Sequence, residues 1–99
     1  MKTILPQEVQ AKLEAGEALN IIDVREVNEV KEGHIAGIIH IPLKLLEFKM
    51  HELDKSKAYI IVCRSGGRSG QATAFLESYG YHVTNMTGGM QEWTGEVKQ

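Results

Sequence analysis

The sequence predicts an α/β fold, a mainly parallel central sheet with helices on both faces. Three observations carry that expectation. Short runs rich in Ile and Val alternate with stretches of helical periodicity. The run "AYIIVC" is apolar on both of its faces, the pattern of a central strand covered above and below. The chain has 99 residues, which fits one small domain spanning 1–99. A chain of that size buries roughly two thirds of its unfolded surface, enough for a core without staples.

The elements follow in order. Pro6 suits the first turn of a helix, and Glu8 occupies the favoured acidic position in that turn. No Ser, Thr, Asp or Asn stands at Leu5, so a weak cap is expected. Val9 and Leu13 share the apolar face, and Gly16 ends the helix. "ALNIIDVR" reads as a buried strand, and "EVNEVKEGHIAG" as a connection with a helical turn in it. "IIHIP" is a short strand ended by Pro42. "LKLLEFKMHEL" reads as a helix with Leu45, Phe48 and either Leu46 or Met50 turned inward. "DKSK" is a turn, and "AYIIVC" the central strand. From Ser69 onward, Ala72, Phe75, Leu76 and Tyr79 recur at helical spacing, and Gly80 closes that helix. "YHVTNM" is a strand, "TGGMQEW" a Gly pair leading into a short helix, and "TGEVKQ" a polar tail.

Composition narrows the function classes. The formal net charge of -2 argues against a general nucleic-acid binder, which needs a basic face. A single cysteine forms no internal disulfide and offers no zinc spacing, so a reducing compartment is expected, with no cofactor and no metal. His34, His40, His51 and His82 do not make a metal-ligand pattern. The opening "MKTILPQEVQ" lacks the apolar region and cleavage site of a signal peptide, and no apolar run reaches membrane-spanning length. The expectation is a cytoplasmic monomer that contacts no membrane.

The chemistry concentrates in "CRSGGRS", where the central strand ends and a helix begins. In a parallel sheet, ligands bind beyond the carboxyl ends of the strands, and Cys63 stands at such a position. Gly66 and Gly67 let the backbone turn sharply, so that successive N–H groups form an anion-binding nest. The first turn of the next helix adds unpaired N–H groups and a positive end. Arg64 and Arg68 add charge, toward the site or outward. A thiol at the mouth of that nest is expected to ionise below its reference value of about 8.5. The plainer reading is a small buried hydrophobe beside an ordinary loop. Position, paired arginines and the following helix favour a reactive thiol. Two chemistries suit it: phosphate ester hydrolysis through phosphocysteine, and sulfur transfer through a persulfide. Cysteine phosphatases use C-x5-R, and here Arg68 comes one residue too early.

The chain resembles the single-domain rhodaneses, a family of sulfurtransferases. "CRSGGRS" is similar to that family's active-site loop, C-x-x-G-x-R-S. "IIDVRE" with "GHIAGIIHIP" resembles its amino-terminal signature, and "TGGMQEW" its carboxyl-terminal one. These marks run from Ile21 to Trp93 in family order. The resemblance implies Cys63 as the sulfur-accepting nucleophile and Arg64, Ser65, Gly66, Gly67 and Arg68 as the loop around the persulfide. It implies Ser69 as the residue closing that loop. Asp23, Arg25 and His34 match positions that brace the site, and Gly33, Ile35, Gly88, Gly89 and Trp93 match the remaining signature positions. Ile38 and Ile39 depart from the family's small residues, which concerns packing.

The implied reaction moves a sulfane sulfur from thiosulfate or a related donor to a thiophilic acceptor such as cyanide, a thiol or a protein cysteine. Cys63 and Arg68 are the catalytic candidates. Arg68 attracts an anionic donor, orders the loop, or pairs with a carboxylate such as Glu26 or Glu29. Asp23 and His34 read as structural hydrogen-bonding groups, and Trp93 as core. Three alternatives stand beside this reading. One is a persulfide or protein-to-protein sulfur carrier with little thiosulfate activity. Another is a phosphatase or arsenate reductase, disfavoured by the short loop and the missing second thiol. The last is a non-catalytic binding module, disfavoured by the intact cysteine loop.

Overall fold

A computed structural model describes residues 1–99. The expected α/β architecture is present. The elements are β1 (Lys2–Ile4), α1 (Pro6–Glu14), β2 (Asn20–Asp23), α2 (Val27–Glu32), β3 (Ile39–His40), α3 (Leu46–Lys49), β4 (Ala58–Val62), α4 (Gly67–Ser78) and β5 (His82–Met86). Single 3-10 turns flank α3 at Leu43–Leu45 and Met50–Glu52, and another follows β5 at Gly89–Glu92. The sheet order is β1-β5-β4-β2-β3, and every strand pair is parallel.

β4 sits at the centre, as its two apolar faces require. Strand alternation sends its side chains to opposite sides. Tyr59, Ile61 and Cys63 join a core cluster with Leu46, Ala72 and Leu76, on the side covered by α3 and α4. Val62 joins Val9, Ile21 and Met86 on the side covered by α1. The thiol therefore faces α4 because it continues the parity of Tyr59 and Ile61.

The chain leaves β2 toward β3 on one flank and leaves β4 toward β5 on the other. The crevice beyond the carboxyl ends of β2 and β4 is thus the switch point of the sheet, the place where such folds put ligands. Asp23 ends one strand and Cys63 follows the other.

Several local expectations need correction. β1 reads as no element in sequence, yet Lys2–Ile4 pairs with Thr84–Met86 at the sheet edge. Its three residues are too few to show a period. The helix expected from Ser69 starts earlier, at Gly67. Around α3, Leu46 is buried, whereas Leu45 and Phe48 point outward, Phe48 being 72% exposed. The segment is broken into short turns of different pitch, so spacing by 3.6 does not carry along it. Trp93 lies half-buried at the rim of the α1 side and donates its indole N–H to the Glu96 carbonyl at 3.1 Å. The polar tail is docked: Val97 packs on Gly33, and His34 and Lys98 exchange backbone hydrogen bonds at 2.9 and 2.7 Å.

The cap of α1 is weak as expected, since Leu5 makes no side-chain cap hydrogen bond. The Glu8 carboxylate accepts the Leu5 N–H at 2.9 Å, which supplies the half of a capping box that an acidic side chain at the third helical position can make. No helix is long and apolar enough to cross a membrane.

Candidate active site

The loop between β4 and α4 wraps the Cys63 sulfur. Gly66 takes φ 103°, a left-handed conformation suited to glycine, and this turns its N–H onto Sγ at 3.0 Å. Ser69, in the first turn of α4, places Oγ 3.2 Å from Sγ. The opening N–H groups of α4 have no partner within the helix, so this end carries the positive pole. The sulfur is enclosed: Cys63 is only 1% exposed.

Burial pushes the Cys63 thiol up. The Ser69 hydroxyl, the backbone N–H groups of Ser69 and Gly66, and that of Ser65 outweigh the burial, and the net position is below an ordinary thiol. Hydrogen bonds to the charged form, more than any side-chain cation, lower it.

A second glycine pair holds this loop from behind. In the 3-10 turn after β5, the N–H of Met90 donates to the Cys63 carbonyl and that of Gln91 to the Arg64 carbonyl, both at 2.8 Å. Tying these carbonyls outward leaves the loop's N–H groups to face the sulfur. Gly89 stands against the same backbone, and a Cβ there would lie 2.5 Å from the Cys63 and Arg64 carbonyl oxygens.

The arginines divide their roles. The Arg68 guanidinium grips Glu29 in a two-pronged pair, 2.8 Å on each side. It joins α4 to α2 and stands as no free cation. Glu29 also accepts the Glu26 N–H at 3.0 Å. The Arg68 hydrogen bonds hold the Glu29 carboxyl down at about 2, against the partial burial that raises it. The sign follows directly: a depressed carboxylate stabilises the fold above its ordinary 4.5, and this stabilisation is lost as pH falls through about 2. Both side chains are partly exposed, so the pair contributes about 0.5–1 kcal/mol. Glu29→Gln should therefore lower the urea midpoint at pH 7, and the difference from the parent should shrink steadily as pH falls from about 4.5 toward 2; a constant difference would show that the charge pair is not its source.

Arg64 is exposed and its side chain has no partner. It borders an open cleft of about 580 Å³ shared with Arg25, Glu29, Gly33, Met90 and Gln91. Cys63 itself does not line this cleft, which adjoins the loop on its outer side.

Asp23 and Arg25 pair with each other at the end of β2. Asp23 is fully buried and accepts from Arg25 Nε at 3.0 Å and from Arg25 Nη2 at 2.8 Å. Arg25 also donates to the Gly33 carbonyl at 2.8 Å, and His40 Nε2 meets the Arg25 carbonyl at 2.7 Å. The pair thus ties β2 to the segment after α2. His34 meets the Val30 carbonyl through Nδ1 at 2.9 Å. Ser65 and Gly67 lie exposed on the loop, and Ser69 is buried beneath it.

One residue of the site escapes sequence reading. Asn85 on β5 accepts a hydrogen bond from the Ser69 hydroxyl at 2.5 Å and donates to the Gly66 carbonyl at 3.3 Å. Its signal was present: in "HVTNM", Asn85 shares parity with the core residue Val83, and a polar residue on a core-facing position asks for a partner.

Comparison with known proteins bears on the family and the fold. The family model for the rhodanese-like domain matches residues 5–96. YtwF of Bacillus subtilis is 43% identical over 98 residues, covering 99% of this chain and 95% of that protein. A sulfurtransferase of Allochromatium vinosum is 34% identical over 88 residues, covering 88% of this chain and 82% of that one. The crystal structure of a rhodanese-like domain protein from Staphylococcus aureus superposes with a TM-score of 0.93 at 32% identity, covering 99% of this chain and 97% of that one.

Proposed function

Because this chain belongs to the rhodanese-like domain family, we propose that it carries a sulfane sulfur on Cys63, taking it from thiosulfate or a related donor and passing it to a thiophilic acceptor. The observation that supports this reading most is the enclosure of Sγ by the Gly66 N–H at 3.0 Å and the Ser69 hydroxyl at 3.2 Å, at the start of α4.

The Cys63 thiolate attacks the outer sulfur of thiosulfate. A new S–S bond forms at Sγ, the old S–S bond breaks, and its electron pair leaves with sulfite. The negative charge comes to rest on the outer sulfur of Cys63–S–S⁻. In this reading the loop N–H groups stabilise that charge, as an oxyanion hole stabilises oxygen. An acceptor thiolate, or cyanide, then attacks the outer sulfur, and the Cys63 thiolate departs. No general base is required once the thiol is ionised, and the two half-reactions give ping-pong kinetics.

Arg64, exposed and unpaired, is the residue that attracts an anionic donor to the loop mouth. Arg68 acts through structure: its pair with Glu29 ties the first turn of α4 to α2. Ser65, Gly66, Gly67 and Ser69 form the cradle. Small sulfur anions and a thiol or protein cysteine are the partners this chemistry requires.

Incubation with thiosulfate should add one sulfur, roughly 32 Da by intact mass, and cyanide should remove it. A gain seen only with a persulfide donor would favour the carrier reading. No gain from either donor would sink sulfur transfer.

A further inference from the structure

We propose that Asn85 is a positioning residue that decides which way the Ser69 hydroxyl points, and so whether that hydroxyl is available to the Cys63 sulfur. The proposal rests on reading Cys63 as the sulfur-carrying nucleophile.

Ser69 Oγ stands between Cys63 Sγ at 3.2 Å, an acceptor once the thiol ionises, and Asn85 Oδ1 at 2.5 Å, an acceptor always. A serine hydroxyl has one proton and cannot serve both. The Asn85 amide cannot turn over to relieve the conflict. Its Nδ2 faces the Gly66 carbonyl at 3.3 Å, which leaves Oδ1 as the atom beside Oγ. Gly70 makes room for this orientation, since a Cβ there would lie 3.3 Å from Nδ2.

In the thiol form everything is matched. The thiol S–H donates to Ser69 Oγ, and the Ser69 O–H donates to Asn85. In the thiolate form the sulfur needs the Ser69 proton. Giving it leaves Oγ and Oδ1 facing each other as acceptors in a buried site, which costs free energy. Asn85 therefore opposes ionisation of Cys63. Once a second sulfur is attached, the charge sits on the outer atom and Sγ becomes a neutral, weak acceptor. The Ser69 proton can return to Asn85, so Asn85 disfavours the free thiolate relative to the loaded state.

The charged groups around the thiol come from each neighbouring element. α4 supplies Arg68, which is paired to Glu29 of α2. The end of β2 supplies the mutually paired Asp23 and Arg25. Arg64 adjoins Cys63 in the loop and points outward. β5 presents only neutral Asn85 here, and the 3-10 turn after it carries Glu92, whose carboxylate lies beside Gly88.

The test is the pH profile of Cys63 alkylation by iodoacetamide, read by intact mass. Asn85→Leu, similar in shape and without an acceptor, should lower the midpoint by about one unit. The Gly66 carbonyl keeps its bond from the Gly70 N–H at 3.0 Å, so the turn retains a partner. Asn85→Asp, a stronger acceptor, should raise the midpoint. In a Ser69→Ala background, Asn85→Leu should shift nothing, because the hydroxyl that links the two is gone. A residue with a merely structural role would not produce this pattern. A midpoint unchanged or raised by Asn85→Leu, or a shift of the same size without Ser69, would overturn the proposal. Should Asn85→Leu fail to fold, a midpoint unchanged or lowered by Asn85→Asp would do the same. The assay contains no sulfur donor, so failure of sulfur transfer would appear separately, as a missing mass gain in the parent protein.

Discussion

Cys63→Ser is expected to abolish sulfur transfer while leaving the fold in place. A serine hydroxyl does not ionise near neutral pH and forms no persulfide, so turnover should fall by on the order of 10⁴-fold or more. The change in volume is small, and the new hydroxyl finds the Gly66 N–H and Ser69 Oγ as hydrogen-bond partners in place of the sulfur, so the fold should survive. Both quantities are measurable on one preparation, by a thiosulfate–cyanide assay and a urea melt. Turnover that survives would place the nucleophile elsewhere, and no other cysteine exists to take its place. A collapse of stability would instead make Cys63 chiefly a core residue, since it packs with Ile61, Ala72 and Leu76.

Gly89→Ala should be the most damaging single methyl group near the site. Gly89 has φ 59°, where an L-residue costs about 1–2 kcal/mol. Its new Cβ would meet the Cys63 and Arg64 carbonyl oxygens at 2.5 Å. Those atoms are main chain, fixed by hydrogen bonds of 2.8 Å from Met90 and Gln91, and they can move only if the sulfur loop moves. The expected loss is about 3 kcal/mol or more, a Tm fall of roughly 12–24 °C. Transfer activity should drop even at temperatures where the variant remains folded. Gly37→Ala is the proper comparison. It carries a similar φ of 79°, but nothing lies within 4 Å of its Cβ. Equal losses in the two variants would mean that backbone strain alone, and not contact with the loop, explains Gly89.

The parts of this site that are legible in the sequence are those with a local signature. Cys63, the glycine turn and the helix behind it occupy one short stretch, and the double-faced apolar run before them marks β4 as central. The parts that are not legible depend on distant residues. Arg68 reads as a free cation or as a partner of Glu26 or Glu29, and only the placement of α2 beside α4 selects Glu29. Asn85 and Ser69 are 16 positions apart in sequence and meet only because β5 runs beside β4. Phe48 misleads for the opposite reason. Local spacing suggests a continuous helix there, whereas the chain makes a string of single turns, and its face rotates away from the core.

The parity of β4 has a consequence for how the chain tolerates insertions. Tyr59, Ile61 and Cys63 lie on one side only because the count from Ala58 is kept. One residue added to or removed from this strand would turn the thiol to the opposite side, beneath α1 and away from Ser69 and the start of α4. The loop after it could keep every one of its residues and still lose the sulfur it encloses. Length variation among working versions of this domain should therefore avoid Ala58–Val62 and collect in segments such as the turn around Asp54–Lys57, where a change in count alters no side chain's facing.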